Sequence, residues 1–214
     1  TTTGAKTLGA GAQENITLST VPVLAFKFTG DLCSLPSPII PGIYHTAAAC
    51  VVSCKLQLDN SETLVDSNLD PVTLWEFQCG GALSTAADSD VEFTDQGETG
   101  NVLWTIGGAT ATGAGSAMVG ELRSTGAIIT GADSTWAGDV TSSAGAAATG
   151  AGSTVIGHIT AEGAIHVGAS SHTGDMTSYN GAIILGAFSV TGDATPTGIA
   201  VLGDGAVSGF DQLA

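Results

Sequence analysis

Glycine recurs at three fixed stations over the second half of the chain, and this repeat constrains the fold more than any other feature of the sequence. The first station falls at positions 120, 138, 157, 174, 192 and 209. The second falls at 126, 145, 163, 181 and 198, and the third follows five residues later, at 131, 150, 168, 186 and 203. Glycine bends the backbone at little steric cost, so three stations in each stretch of about 18 residues predict a coil with three corners.

Coils of this kind stack on one another, and each adds one strand to each of three parallel sheets. Short segments of β-branched and small residues lie between the stations, as such strands require. We therefore predict an all-β fold, a triangular parallel β-solenoid. The 214 residues are expected to form one domain over 1–214, with irregular N-terminal coils over 1–107 and regular coils of about 18 residues over 108–214.

The N-terminal half lacks the glycine repeat but keeps strand-like segments. These segments are residues 51–58, 74–79, 91–94 and 102–106. Trp75, Trp104 and Trp136 are expected to lie in the core, because two of them fall within strand-like segments.

All four cysteines lie in the first 80 residues, at Cys33, Cys50, Cys54 and Cys79. Their spacing contains no Cys-x-x-Cys pair of the kind that binds zinc, so we expect two disulfides in a secreted, extracellular protein. Four cysteines allow three pairings, and all three remain open. Asn15 begins an Asn-Ile-Thr sequon, which predicts a glycosylation site if the host has a eukaryotic secretory pathway.

Charge is scarce and one-sided: 20 Asp and Glu residues against 4 Lys and Arg residues give a formal net charge of −16. Binding to nucleic acid requires a basic surface, so no nucleic-acid partner is expected. No apolar run approaches the ~18 residues of a membrane-spanning helix, so membrane insertion is not expected either. The sequence contains no nucleophile elbow, zinc-protease motif or phosphate-binding loop. We therefore predict a protein that is not an enzyme and uses neither a cofactor nor a metal.

Strict alternation within a strand assigns side chains to the inside or the outside of the solenoid. Between the second and third stations, the residues expected inside are Ile128, Thr130, Ile165, Val167, Ile183, Leu185, Ala200 and Leu202. The residues expected outside form a flat, small and apolar face: Ala127, Ile129, Ala146, Ala148, Ala164, His166, Ala182, Ile184, Ile199 and Val201.

A second predicted face crosses the first glycine station of each coil. Its inward residues are expected to be Leu122, Val140, Ile159, Met176 and Ala194, with Trp136, Val155, His172, Val190 and Val207 on the preceding turn. Its outward residues are rich in threonine: Thr135, Ala137, Thr141, Thr154, Ile156, Thr160, Ser171, Thr173, Thr177, Ser189, Thr191 and Thr195. An acidic row accompanies them, at Asp139, His158, Asp175 and Asp193. An error of one residue in such a register exchanges inside and outside.

Three motifs occur in order along the chain: Pro41-Gly-Ile-Tyr44, then the segment LWEFQCGGALSTA at 74–86, then NVLWTIGG at 101–108. Together they resemble the microbial β-solenoid ice-binding, or antifreeze, protein family over about residues 30–170. The resemblance implies a right-handed, discontinuous, triangular β-solenoid that adsorbs to ice. Family members usually carry a long α-helix before the Pro-Gly-Val-Tyr turn. The residues before Pro41 do not show a helical pattern, so we expect this chain to lack that helix.

These observations predict one of two functions. Adsorption to an ice crystal surface needs a flat, rigid and weakly charged face that repeats the same atoms. The Thr-rich face is the first choice, because threonine presents a methyl and a hydroxyl in a stiff rotamer. The second choice is the face of Ala127, Ile129, Ala146, Ala148, Ala164, Ala182 and Ile184. The alternative function is a self-assembling subunit of an extracellular filament or adhesin stalk, which associates through an exposed apolar face.

Overall fold

The computed structural model describes residues 13–18, 21–59, 64–65, 71–72, 74–95 and 101–209, and short β-strands dominate these ranges. Within them, the helical structure is one 3-10 helix at Leu32–Ser34. The strands are β1 (Gln13–Leu18), β2 (Val21–Lys27), β3 (Gly42–Thr46), β4 (Cys50–Val52), β5 (Lys55–Leu58), β6 (Leu64–Val65), β7 (Pro71–Val72), β8 (Trp75–Cys79), β9 (Leu83–Thr85), β10 (Asp90–Phe93), β11 (Val102–Ile106), β12 (Thr110–Ala111), β13 (Ala117–Val119), β14 (Glu121–Ser124), β15 (Ile128–Thr130), β16 (Thr135–Ala137), β17 (Val140–Ser142), β18 (Ala147–Thr149), β19 (Thr154–Ile156), β20 (Ile159–Ala161), β21 (Ile165–Val167), β22 (His172–Thr173), β23 (Met176–Ser178), β24 (Ile183–Leu185), β25 (Val190–Thr191), β26 (Ala194–Pro196) and β27 (Ala200–Leu202).

Most of these strands form three sheets, and each coil of the solenoid contributes one strand to each sheet. Sheet 1 has ten strands in the order β1-β2-β3-β8-β11-β14-β17-β20-β23-β26. Sheet 2 has seven, β25-β22-β19-β16-β13-β10-β5, and sheet 3 has eight, β27-β24-β21-β18-β15-β12-β9-β4. Neighbouring strands within them are parallel, except for the antiparallel pair β1 and β2 at one end of sheet 1. The antiparallel pair β6 and β7 stands apart as a small ribbon. The predicted all-β, parallel β-solenoid is confirmed.

Each coil passes from sheet 1 to sheet 3 to sheet 2, and the predicted glycine stations are its three corners. The rungs of sheet 1 pair Leu122 with Val140, Val140 with Ile159, and Ile159 with Met176. The same ladder extends towards the N-terminus through longer connections, because Gly42 pairs with Trp75 and Trp75 with Val102. Residues 51–58, predicted as one strand-like segment, contain instead a corner between β4 in sheet 3 and β5 in sheet 2.

The first glycine station shows why glycine is required at a corner. Gly138 has a φ of 145°, and an added Cβ would lie 2.2 Å from the carbonyl oxygen of Gly120 in the previous coil. Gly157 repeats this arrangement one coil later, with a φ of 152° and the carbonyl oxygen of Gly138 at 2.4 Å from such a Cβ. The stations therefore lie above one another, and a larger residue would separate the coils.

A serine closes the third corner of successive coils. The hydroxyls of Ser116, Ser134 and Ser153 donate to the carbonyl oxygens three residues earlier at 2.8, 2.7 and 2.7 Å. The residue just before the serine takes a left-handed conformation, as at Asp133 with a φ of 54° and Phe188 with a φ of 56°. Serine at this position satisfies a turn carbonyl that the sheets leave unpaired.

Large aromatic side chains fill the interior of the N-terminal coils. The rings of Phe26, Tyr44, Phe77 and Trp104 stack on successive rungs of sheet 1, with centroids 4.8, 5.4 and 4.4 Å apart. Burial raises the pKa of the Tyr44 hydroxyl, which donates to the carbonyl oxygen of Ile40 at 2.7 Å.

The three tryptophans are core residues, as predicted. Trp75, Trp104 and Trp136 are at most 1% exposed. Their indole N–H groups donate to the carbonyl oxygens of Ile39, Val119 and Gly120 at 2.9, 2.9 and 2.7 Å. Each ring therefore fills the core without leaving a buried donor unpaired.

The expected two disulfides are present, and the structure chooses the pairing that the sequence left open. Cys50 pairs with Cys79 and links β4 to the end of β8, across the inside of the solenoid. Cys33 pairs with Cys54 and ties the 3-10 helix to the corner between β4 and β5. Asn15 lies in β1, opposite Leu24 of β2.

The register predicted for the last part of sheet 2 is wrong by one residue. The structure pairs Thr154 with His172 and Val155 with Thr173, whereas the sequence pattern aligned Val155 with His172. His172 and Val190, expected inside, are therefore exposed. The slip also reverses four residues that were expected outside, and all four are buried: Ser171, Thr173, Ser189 and Thr191.

Three further residues expected inside are exposed at the C-terminal end of the described coils. Ala200 and Leu202 keep inward register positions, but no later coil among the described residues covers them. Val207 pairs with the exposed Val190 and therefore shares the register error of sheet 2. Leu202 is 52% exposed and Val207 60% exposed. The remaining inward assignments between residues 122 and 185 are confirmed by burial.

Candidate functional site

The solenoid presents three outward surfaces, one on each sheet, and the predicted Thr-rich face is divided between two of them. The first glycine station forms a corner within that face. Thr135, Ala137, Thr154 and Ile156 consequently lie on sheet 2, whereas Thr141, Thr160, Thr177 and Thr195 lie on sheet 1. With Ser171, Thr173, Ser189 and Thr191 buried, the twelve residues do not make one surface.

Sheet 1 carries a threonine row beside a charged row. Thr141, Thr160 and Thr177 are paired in register on neighbouring strands. Asp139 and Asp175 precede these strands, and their Oδ1 atoms each accept the backbone N–H of the equivalent residue in the next coil at 2.9 Å. The acidic row therefore stays on the outside and keeps this surface charged and hydrated.

A groove further breaks the outer surface of sheet 1 towards the N-terminus. It has a volume of about 760 Å³ and its lining includes His45, Gln78, Thr105 and Arg123. The Arg123 Nε lies 2.6 Å from the Glu121 Oε1, and this ion pair is solvent-exposed. Charged, long side chains next to a concave surface make sheet 1 neither flat nor uniform.

Sheet 2 is charged at its N-terminal end. Lys55 and Asp90 form an ion pair at 2.6 Å on neighbouring strands, and this hydrogen bond raises the pKa of the exposed Lys55. Its strands β13, β16 and β19 carry no Asp, Glu, Lys or Arg residue. Strands β22 and β25 carry none either, so the uncharged part of sheet 2 covers five strands, with the exposed His172 on β22.

Sheet 3 presents the longest uncharged surface. None of its eight strands contains an Asp, Glu, Lys or Arg residue. One outward row is paired strand by strand along the whole sheet: Val51, Ser84, Ala111, Ile129, Ala148, His166, Ile184 and Val201. A second row, one pleat earlier, is nearly all alanine: Ala82, Ala109, Ala127, Ala146, Ala164, Ala182 and Ile199.

Backbone hydrogen bonds hold these two rows at a constant spacing. The carbonyl oxygens of Ala127, Ala146 and Ala164 accept from backbone N–H groups of the previous coil at 2.9, 2.9 and 3.0 Å. Parallel strands lie ~4.8 Å apart, so the outward methyl groups repeat at that interval along the axis. A regular, shallow lattice of methyl groups and peptide groups results.

Threonine has a different role from the predicted one over much of the chain. The Oγ1 atoms of Thr85, Thr112 and Thr149 point inside and accept the backbone N–H of a glycine in the following coil at 2.9, 3.0 and 3.0 Å. These hydrogen bonds lie at the end of the sheet 3 strands, where each chain turns into the third corner. The buried threonines therefore fix the shape of sheet 3 rather than contacting an external surface.

The apolar face also extends beyond the residues predicted for it. Ala82, Ser84, Ala109 and Ala111 continue its two rows towards the N-terminus and are exposed. A Gly-Ala pair precedes most sheet 3 strands, as at 81–82, 108–109, 126–127 and 145–146. This Gly-Ala pair is the sequence signal that extends the apolar face to the N-terminal side of residue 108.

The described residues offer no evident metal site or membrane anchor. Within them, no three His, Cys, Asp or Glu side chains come close enough together to hold a metal ion. The described part of the chain also contains no helix that is long and apolar enough to span a membrane.

Comparison with solved structures supports the solenoid fold. The ice-binding protein 1 DUF3494 domain of Shewanella frigidimarina aligns with 62% of this chain and 52% of its own, with a TM-score of 0.52 and 19% identity. An ice-binding protein from the Antarctic ascomycete Antarctomyces psychrotrophicus has a TM-score of 0.47 and 25% identity over 62% of this chain and 59% of its own. The chain thus spans between half and three fifths of the length of these two structures.

A third structure, an ice-binding protein from an Antarctic bacterium of the Flavobacteriaceae, aligns with 87% of this chain and 81% of its own, with a TM-score of 0.40 and 13% identity. None of the curated proteins compared with the chain matches it significantly. None of these comparisons supports the alternative of a self-assembling structural subunit.

Sequence comparison with known families assigns the chain directly. The model of the family described as ice-binding-like matches residues 12–147, which is more than half of the chain. The match includes the three motifs that suggested this resemblance and the first four strands of sheet 3, β4, β9, β12 and β15. The chain belongs to the ice-binding-like family.

Proposed function

We propose that this protein is an ice-binding, antifreeze protein and that it adsorbs to ice through the outward face of sheet 3. The observation that carries the proposal is the in-register, uncharged, eight-strand surface of a member of the ice-binding-like family. The face corresponds to the second choice from the sequence, and it replaces the Thr-rich face because the structure divides that face.

Physical chemistry favours sheet 3 over the other two sheets. Ice is a lattice of neutral water molecules, so a charged side chain at the contact would have to give up hydration without gaining a partner. Sheet 1 carries Asp139, Asp175 and Asp193 beside its threonines, and sheet 2 carries Lys55 and Asp90. Sheet 3 has no such groups on its strands, and its many small side chains let a flat crystal surface approach closely.

Adsorption then arises from many weak contacts, each repeated once per coil. Burying the exposed methyl groups of Ala111 and Ile129 is favourable when the crystal surface displaces disordered water from them. The rigid backbone ladder limits the conformational entropy lost on binding. Adsorption neither makes nor breaks a covalent bond, so the proposed activity is not enzymatic and needs no cofactor.

The proposed setting is extracellular, with the ice crystal surface as the partner. Ice acts on a cell from the outside, and the two disulfides suit an oxidising compartment. Neither a nucleic acid nor a membrane is proposed as a partner, because the charge and the surface chemistry described above serve neither.

A steric block tests the choice of face. Ile129→Tyr places a bulky ring in the middle of sheet 3, at a side chain that is 54% exposed, so the fold should be retained. We expect thermal hysteresis and ice shaping to be lost because the ring holds the crystal away from the lattice. The measurements are nanolitre osmometry for activity and circular dichroism for the fold.

The matched control is Thr160→Tyr, which adds the same ring to the outer face of sheet 1. This variant is expected to keep its thermal hysteresis. Loss of activity in Thr160→Tyr with full activity in Ile129→Tyr would move the ice contact to sheet 1. A wild-type protein without any effect on ice growth would refute the proposed function itself.

A further inference from the structure

One corner between sheet 1 and sheet 3 carries an asparagine followed by a glycine. Asn180-Gly181 is the one Asn-Gly dipeptide in the sequence, and Gly181 belongs to the second glycine station. The side chain of Asn180 is exposed. The residues that precede this station in the other regular coils are Thr125, Ala144, Glu162 and Thr197. The amide is therefore a departure from the repeat and not a requirement of the corner.

The backbone N–H of Gly181 lacks the acceptor that the other glycines of its station have. Three of them donate to the carbonyl oxygen of the glycine one coil earlier, at 2.9, 2.9 and 3.2 Å: Gly126, Gly163 and Gly198. Gly145 donates instead to Ser142 Oγ at 3.0 Å. In the coil of Gly181, the carbonyl oxygen of Gly163 accepts from the hydroxyl of Ser178 at 2.9 Å. Among the described residues, no acceptor takes the Gly181 N–H.

The side-chain amide of Asn180 lies on the outside of the same corner. Its Nδ2 donates to Glu162 Oε1, and the backbone N–H of Asn180 donates to the carbonyl oxygen of Glu162 at 2.8 Å. A glycine that follows asparagine has no side chain to obstruct the approach of its nitrogen to the asparagine Cγ. The corner thus joins an exposed amide to an unpaired backbone nitrogen, and these groups are the two reactants of asparagine deamidation.

We propose that Asn180 is a modification site, at which the side-chain amide is converted spontaneously into a carboxylate. Solvent base removes the proton from the Gly181 nitrogen, which attacks Cγ of Asn180. The bond from Cγ to Nδ2 breaks, the nitrogen takes up protons from solvent and leaves as ammonia, and a cyclic imide remains. Water then opens the imide at either carbonyl and gives aspartate or isoaspartate. The net reaction consumes water and releases ammonia, with no change in oxidation state.

This modification alters the edge of the sheet 3 face. A carboxylate at position 180 faces the carboxylate of Glu162, so a hydrogen bond becomes a repulsion between like charges. Isoaspartate also adds a methylene to the backbone at a crowded corner, where a Cβ on Gly181 would lie 2.4 Å from the backbone nitrogen of Ala164. Ala182 of the alanine row follows directly and is expected to shift. Weaker adsorption to ice should result, and this consequence, unlike the modification itself, rests on the proposed function.

The test follows the mass of proteolytic peptides while the folded protein is incubated in a mildly alkaline buffer. In the wild type, a growing fraction of the peptide with Asn180 should show the mass increase that accompanies replacement of an amide by a carboxylate. The peptide with Asn101, an exposed asparagine followed by Val102, should keep its mass. Asn180→Thr, which introduces the residue found at this corner in two other coils, should show no such increase.

Incubation of the wild type in urea separates the effect of the corner from that of the dipeptide alone. Conversion in the unfolded chain but not in the folded protein would overturn the proposal, because the native corner would then protect Asn180. Thermal hysteresis of the same folded samples should fall as the converted fraction rises, and it should stay constant in Asn180→Thr. Equal hysteresis in fresh and fully converted wild type would overturn the expected effect on adsorption. A wild type that never alters ice growth refutes the proposed function, whereas the peptide masses still decide the modification.

Discussion

The N-terminal and C-terminal coils share one solenoid but reach their stability by different means. Up to residue 106, the interior is filled by stacked rings, as with Phe77 and Trp104, and crossed by the Cys50–Cys79 disulfide. From residue 121 onward, the same rungs carry single aliphatic side chains such as Val140 and Ile159. The connections differ as well, because the early rungs of sheet 1 are 33 and 27 residues apart and the later ones 17–19.

The two halves show that large buried side chains and a regularly repeated backbone are alternative sources of stability for a coil. The late coils have little side-chain volume, and they depend on close approach of backbones at Gly138 and Gly157 and on corner hydrogen bonds from serine. A regular coil needs short corners, and short corners leave room only for small residues. The early coils tolerate long connections because large buried rings and disulfides compensate for their entropy.

Truncating one inward side chain in each half should show this difference in the source of stability most clearly. Phe77→Ala removes a ring that is 0% exposed and stacked between Tyr44 and Trp104, and we expect a loss of about 4 kcal/mol in the free energy of unfolding. Ile159→Val, on the same row of sheet 1, should cost about 1 kcal/mol. Urea denaturation of both variants measures the losses, and equal losses would contradict the contrast.

Removing each disulfide in turn tests how the early coils are held. The two disulfides close similar lengths of chain, with sequence separations of 29 and 21 residues, so chain entropy predicts about 3 kcal/mol for each. Cys50→Ala with Cys79→Ala should cost more than Cys33→Ala with Cys54→Ala, because Cys50 and Cys79 are 0% and 2% exposed and also lose packing. Thermal unfolding of the two double variants provides the measurement.

A larger loss for the Cys33–Cys54 pair would show that the loop before β3, rather than the interior, limits the stability of the early coils. Thermal hysteresis should be unchanged in both double variants while they remain folded, since neither disulfide contributes a side chain to the sheet 3 face.

Much of this architecture is predictable from the sequence, because glycine at a corner is a steric requirement that appears as a spacing. The stations at Gly138 and Gly157 and the inward rows of sheets 1 and 3 follow from that spacing and from strict alternation. The burial of the tryptophans follows from the strand-like segments that contain two of them. The division of the Thr-rich face is a consequence of the same stations, because a face that crosses the predicted corner at Gly138 belongs to two sheets, and the assignment of that face as one surface was wrong.

The register error at the end of sheet 2 has a specific physical cause. Polarity usually marks the outside of a strand, but here the coil interior accepts threonine at positions 173 and 191. Thr173 donates to Met176 Sδ at 3.6 Å, and Thr191 donates to the carbonyl oxygen of Gly192 at 3.2 Å. Because these hydroxyls form hydrogen bonds with nearby acceptors, burying the two threonines costs little free energy. The polarity of a residue therefore does not distinguish the inside from the outside of these strands.

The smallest expected effect concerns the third corner of the late coils, where repetition is imperfect. Phe188 takes a φ of 56° at a position that Gly115, Gly152 and Gly205 occupy in other coils. A left-handed conformation costs a non-glycine residue roughly 1–2 kcal/mol, and the added freedom of glycine in the unfolded chain offsets about half of that. Phe188→Gly should therefore stabilise the protein by about 0.5 kcal/mol, as measured by urea denaturation.

Phe188→Ala is the control that separates backbone strain from the loss of the ring. Alanine keeps the left-handed penalty and also removes the ring, which is 68% exposed and lies against Gly205, so no gain is expected. If glycine and alanine both destabilise the protein to the same extent, the contact between the ring and Gly205 matters more than the backbone strain. The late coils would then depend on side-chain packing at this corner, and the contrast with the aromatic N-terminal coils would be weaker than their composition indicates.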